Sequence, residues 1–156
     1  MTMLKQTVLN AKEKKKIRGI LSDQWGIVDT REFEMLQNEK GRIYIANRSI
    51  ENVDWNKLRI NSIGSYFGEM LDGKMRLSIE GSQLMGPIAK KNVIELSSQD
   101  ARLWLKGYDL AQGMYQGEIG AFMLVRHQND FLGTTKYTTT KLLNYVPKER
   151  RIKASD

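Results

Sequence analysis

Cysteine is absent from this 156-residue chain, and histidine occurs once. The first absence excludes disulfides, thiol catalysis and thiolate metal sites. The second leaves nothing from which to build a cluster of imidazole ligands. Proline is scarce too, with only Pro87 and Pro147. Long apolar runs are missing: the basic stretch "KEKKKIR" leads into "GILSDQWGIV", which Ser22, Asp23, Gln24 and Gly26 interrupt. That pattern is neither a signal peptide nor a membrane span, so the expected setting is the cytoplasm, with no membrane partner. No internal repeat or low-complexity tract stands out.

Chemical constellations are absent as well. Neither G-x-x-x-x-G-K-[ST] nor G-x-G-x-x-G occurs, so no phosphate-cradling loop is written into the chain. A serine nucleophile needs a base beside it, and nothing local organises one. His127, in "LVRHQND", reads as a surface or hydrogen-bonded histidine, and Glu32 and Glu34 as solvating one strand face. The expectation is a protein without catalysis, metal or cofactor.

What is present is an ordinary globular mixture, 40% hydrophobic and 28% charged, enough for a core in one domain or two small ones. The net charge is +7, which favours anionic partners such as nucleic acid. The charge is divided almost evenly, +3 in the first 85 residues and +4 thereafter.

Periodicity gives the organisation. Residues Val8 to Leu21 read as a basic helix with a patchy apolar stripe. "EFEMLQNEKGRIYIAN" alternates on both sides of "NEKG", which predicts a hairpin turning at Gly41. "SIENVDWNKL" predicts a short helix capped by Ser49. "SYFGEMLDGKMRLSIEG" holds Asp72-Gly73 between two strand-like runs, the signature of a type I′ hairpin; its second strand puts Met75, Leu77 and Ile79 on one face and Arg76, Ser78 and Glu80 on the other. Gly81, Gly86 and Pro87 then mark a boundary, dividing the chain into residues 1–85 and 86–156. Past it, "NVIEL" is a strand and "SSQDARLWLKG" a helix. Ser97 and Asp100 stand at capping-box spacing there, and Gly107 is placed to end the helix. "GAFMLVRHQNDFLGTTKYTTTKLLNYV" predicts three short strands, punctuated by "QND" and "LG". The second part is therefore a small barrel or curved sheet with one helix, and the class is α+β.

Basic residues collect at Lys12 to Arg18, at Lys90-Lys91, and at Lys148, Arg150, Arg151 and Lys153. "GTTKYTTTK" adds hydroxyls around Lys136 and Tyr137, the makings of a surface that donates to phosphates and stacks a base on Tyr137. Pro147 predicts an extended edge strand through Tyr145 and Val146, with Ile152 returning to the core and anchoring the basic run.

"NVIELSSQDARLWLKGYDL" and "FLGTTKYTTTKLLNYVPKERRI" resemble the PUA superfamily of small RNA-binding domains. "LKGYDL" and "LNYVPKERR" are similar to the C-terminal domain of Fmu- and Nop-type RNA cytosine methyltransferases. "LRINSIGSYFGEMLDGKMRLSIEGSQLMGPIAKKNVIEL" is similar to two-domain Nip-type ribosome-assembly factors. The resemblance implies a small N-terminal domain packed on a PUA-like β-barrel (pseudobarrel) that binds RNA without catalysis, a free-standing version of a targeting domain. It implies rRNA or tRNA as partner, in ribosome biogenesis or RNA modification, with pre-ribosomal proteins or an RNA methyltransferase as protein partners; the competing reading is a protein-interaction adaptor that recruits an RNA methyltransferase or assembly factor without specific RNA contact of its own. It places RNA contact at Lys106, Gly107, Tyr108 and the Lys148, Arg150, Arg151 run, beside the Lys90, Lys91, Lys136 and Tyr137 suggested by the residues. One departure stands out: relatives carry a second glycine after the "LG" turn, where this chain has Thr134 and Thr135.

Overall fold

The computed structural model describes residues 6–47 and 65–153. The helix expected over Ser49 to Leu58 lies outside them.

The first sheet is an antiparallel meander of five strands: β1 (Gln6–Val8), β2 (Phe33–Asn38), β3 (Arg42–Asn47), β4 (Ser65–Leu71) and β5 (Lys74–Leu77), paired in that order. Its two predicted hairpins are present. In the first, the Asn38 carboxamide oxygen accepts from the Lys40 and Arg42 amides at 2.9 and 3.0 Å, closing the turn. In the second, Asp72 and Gly73 both take positive φ, 50° and 78°, as a type I′ turn requires. Helix α1 (Ala11–Trp25) crosses one face. It starts later than the sequence period suggests because Asn10 caps it. Asn10 accepts from the Glu13 amide while Glu13 accepts from the Asn10 amide, a complete capping box. Ile17, Leu21 and Trp25 bury against Met35, Ile43 and Met75. The Gln24 carboxamide then exchanges two hydrogen bonds with the Met75 backbone, at 2.7 and 2.9 Å, and so covers the free edge of β5.

The chain departs from expectation after Leu77. The strand does not continue through Glu80; Ser78 caps a helix, α2 (Ile79–Met85), by accepting from the Gly81 amide at 3.0 Å. Gly81, Gly86 and Pro87 are thus not an open linker. They form α2 and the 3-10 turn Gly86–Ile88 that follows it. The glycines are there for contact. A Cβ on Gly81 would collide with the Phe67 carbonyl of β4, and one on Gly86 with the Phe131 ring.

The second sheet has the order β6-β8-β9-β10-β7, with β6 (Val93–Glu95) parallel to β8 (Phe122–His127) and the remaining pairs antiparallel. Strands β9 (Asp130–Tyr137), β10 (Lys141–Leu143) and β7 (Leu110–Ala111) complete it. Helix α3 (Ser98–Leu105) lies between β6 and β7 in sequence. One cluster draws Ile94, Met123, Tyr137, Leu142 and Leu110, from all five strands, together with Trp104 of α3. The sheet therefore rolls around a shared core although its edge strands β6 and β7 are not neighbours, the geometry of a pseudobarrel. The class is α+β, as expected. The "LG" pair is not a break between strands. Gly133 sits inside β9 at φ 104°, and the chain turns later, at Thr138–Thr140.

The two sheets fall on either side of the expected boundary, yet their cores are continuous. Phe122, Leu124 and Phe131 of the second sheet join the cluster that holds Trp25, Met75 and Met85. Hydrogen bonds cross the same seam. The Gly133 amide donates to Ser82 Oγ at 2.9 Å, and Thr134 Oγ1 donates to the Leu77 carbonyl at 2.9 Å.

Candidate nucleic-acid interface

Helix α3 presents the candidate surface, and both its ends are fixed. At its start Ser97 Oγ accepts from the Asp100 amide. The reciprocal bond of a capping box is relayed: the Ser97 amide donates to the Tyr115 hydroxyl at 3.0 Å, and that hydroxyl donates to Asp100 Oδ2 at 2.7 Å. Burial and the Asp100 carboxylate push the Tyr115 hydroxyl above its ordinary value. At its end Gly107 takes φ 95°. Its amide donates to the Trp104 carbonyl and the Tyr108 amide to that of Leu103, the paired bonds of a Schellman motif. A side chain at Gly107 would meet both that backbone angle and the Arg151 guanidinium, which lies against its Cα.

Arg151 arrives there by a different route from the one expected. Beyond Pro147 the chain does not extend as an edge strand; Lys148–Arg150 form a 3-10 turn. After β10, Asn144 turns the chain. Its oxygen accepts from the Val146 amide, and its Nδ2 donates to the Trp104 and Tyr108 carbonyls at 2.8 and 2.9 Å. These bonds tie the segment to the end of α3 and leave no sheet partner for a strand. Arg151 Nε donates to the Val146 carbonyl at 3.1 Å, and the Ile152 amide donates to Leu105 at 3.0 Å. Ile152 is half-buried, so the basic run is anchored as predicted.

The fold brings together Lys106, Gly107, Tyr108 and Arg151, with Lys148 and Arg150 on the adjoining turn. Tyr108 is 55% exposed, with its ring free for contact. Arg150 is already engaged with Glu80 of α2, across the seam. Lys90 and Lys91 are exposed but elsewhere: their amides donate to the Trp25 carbonyl at the end of α1. Lys136 is exposed on β9, its ammonium 6.0 Å from the centre of the Phe122 ring.

Tyr137 does not face solvent as its place between lysines suggests. It is buried in the pseudobarrel core, and its hydroxyl donates to the Tyr115 carbonyl at 2.8 Å, so no base can stack on it. The neighbouring hydroxyls are equally committed. Thr134 and Thr135 are buried, and Thr135 Oγ1 donates to the Leu143 carbonyl. "GTTKY" is a packing seam, with Lys136 alone of its side chains left exposed. His127 is hydrogen-bonded, its Nδ1 3.0 Å from the Leu96 carbonyl. Asn144 and Tyr115, which shape the surface, carried no sequence signal beyond polarity.

Between the two sheets, next to the 3-10 turn, opens a cleft of about 300 Å³ lined by Arg42, Tyr66, Arg76, Glu80, Tyr145 and Glu149, among others. Arg76 pairs with Glu69 and lies 4.3 Å over the Tyr145 ring. Burial, with the nearby Glu69 charge, pushes the Tyr66 hydroxyl up. Among the described residues no group of three histidine, cysteine or carboxylate side chains is arranged to hold a metal. Nor is any described helix long and apolar enough to cross a membrane.

A rolled mixed sheet with one capped helix ending in a glycine loop defines the class, and residues 91–152 match the family described as the methyltransferase RsmF PUA domain. Over these residues the chain is similar to the PUA domain at the C-terminus of RsmF-type RNA methyltransferases. Among whole proteins, the chain is 34% identical over 95 residues to the ribosomal RNA small subunit methyltransferase F of Aeromonas salmonicida (strain A449). It is 33% identical over 95 residues to that of Aeromonas hydrophila subsp. hydrophila. Each match covers 60% of this chain and 19% of the relative, so the chain spans about one fifth of the proteins it matches.

Proposed function

We propose that this chain is a non-catalytic RNA-binding unit that serves RNA modification during ribosome assembly, with ribosomal RNA as its partner in the cytoplasm. One observation carries the reading: the anchored Arg151 guanidinium, the Gly107 loop and the exposed Tyr108 form one surface inside the segment that matches a methyltransferase PUA domain. Arg151 and Lys148 neutralise phosphates, Gly107 gives Arg151 the room to lie across the loop, and Tyr108 stacks on an unpaired base. Anchoring matters here, because a pre-ordered basic turn loses less entropy on binding than a free tail. The division at residues 85 and 86 then separates a supporting half from the half that holds RNA, and a methyltransferase is the protein partner that the relatives' names suggest. The test is fluorescence anisotropy with labelled small-subunit ribosomal RNA fragments, with tRNA as competitor. Tyr108→Ala should weaken binding by about 1–3 kcal/mol, the worth of one base–aromatic stack, while its melting curve stays that of the parent. Equal affinity for parent and Tyr108→Ala would remove this surface from the account.

A further inference from the structure

A second basic surface lies on α1, in the supporting half. The fold sorts the residues of "KEKKKIR" by face. Lys14 is half-buried and reaches Glu34 at 3.4 Å. Lys12, Lys15 and Lys16 are exposed. At about 100° per residue, Gly19 falls among these three lysines on the side opposite Leu21. Gly19 is the informative residue. It stands inside a 15-residue helix, exposed, and a Cβ there would meet no atom of the described residues within 4 Å. Gly81, Gly86 and Gly107 each have a neighbour that forbids a side chain; Gly19 has none. Glycine weakens a helix interior relative to alanine, and a merely solvated face would be better served by any ordinary helix former. A bare backbone patch with Lys15 and Lys16 one turn before it and Asp23 one turn after it admits close approach of an extended polyanion from the lysine side.

We infer that the Lys12, Lys15, Lys16 and Gly19 face of α1 is a second contact for the RNA sugar-phosphate backbone, the lysines pairing with phosphates and Gly19 admitting the strand. This deepens the proposed RNA-binding function and rests on it, but it concerns a different face of a different half. It gives α1 the task of holding RNA that continues past the Gly107 surface.

The test uses the whole chain and a labelled single-stranded RNA long enough to reach both surfaces. Lys12→Gln, Lys15→Gln and Lys16→Gln together should leave the fold intact. They should also reduce the slope of log affinity against log salt by about 2, at roughly 0.7 per lost phosphate contact. Gly19→Gln should raise the melting temperature, because it improves the helix, and at the same time weaken RNA binding by roughly fivefold, through loss of close approach. That opposition is one a solvated helix face would not produce. A slope unchanged in the triple variant, or a Gly19→Gln protein that binds as tightly as its parent, overturns the inference while leaving the Gly107 surface standing. A parent chain with no salt-dependent RNA binding overturns both.

Discussion

Two regions of this molecule are built from the same materials and do opposite things. The seam between the sheets and the loop at the end of α3 both combine glycine with hydrogen-bonding and bulky side chains. In the seam, Gly81 and Gly86 make room for the Phe67 backbone and the Phe131 ring, and Ser82, Thr134 and Thr135 spend their hydroxyls on buried partners. At the loop, Gly107 makes room for Arg151, and Tyr108 is left in solvent. The first arrangement is closed and holds the halves together; the second is open and cationic. Composition does not separate them. What fills the space beside each glycine does: buried backbone and ring in the seam, an exposed arginine at the loop.

Trp104 belongs to both regions, so its loss breaks the comparison most completely. It is fully buried, and its indole donates to the Leu132 carbonyl beside Gly133, while its own carbonyl accepts from Asn144 beneath the loop. Trp104→Ala should cost about 3–5 kcal/mol by denaturant unfolding. Gly86→Val attacks the seam alone by overpacking Phe131, and about 1–3 kcal/mol is expected. Calorimetry should show that loss without a specific change at Tyr108. Ser82→Ala sharpens the contrast. It leaves the Gly133 amide buried without its acceptor, at a cost of about 1–3 kcal/mol, whereas Tyr108→Ala should stay within about 0.5 kcal/mol of the parent. If the two destabilise equally, the distinction between a closed seam and an open loop is wrong.

The smallest effect concerns Tyr115, whose hydroxyl relays the cap of α3. Tyr115→Phe should cost about 0.5–1.5 kcal/mol. The folded-state value of this hydroxyl is raised, so its contribution is complete below the ordinary tyrosine value of 10.0 and is lost as pH rises through the higher folded one. Parent and Tyr115→Phe stabilities should therefore converge in strongly alkaline solution. Parallel curves there would show that Asp100 does not depend on the relay.

Much of this was legible in the sequence, wherever a local rule had a local cause. Asp72-Gly73 specified its turn, Ser97 its helix cap, and Gly107 its helix end, because each acts within a few residues. The failures share one origin. "GTTKY" looks like a polar binding strand, but it packs against α2 from far along the chain, as the Ser82–Gly133 bond shows at a separation of 51. Alternation between Leu77 and Glu80 likewise suggested a strand, and the Ser78 cap prevailed because it satisfies the start of α2. Tyr137 was misread for the same reason: an aromatic between lysines is a stacking residue only if the sheet faces it outward. For the surface itself, the motif located Lys106 to Tyr108, and charge located Lys148 to Arg151. The resemblance put them on one surface, and the fold supplies the physical tie, through Asn144.

The most direct test of the central claim is the salt dependence of RNA binding with the loop's cations removed. Lys148→Gln with Arg151→Gln should leave the melting transition cooperative and lower the slope of log affinity against log salt by about 1.4, at roughly 0.7 per phosphate on single-stranded RNA. Arg150→Gln, which gives up a contact already made to Glu80, should change it less. A folded double variant that keeps the parent's affinity and slope would contradict the account and leave the Gly107 loop a structural corner rather than an RNA-binding surface.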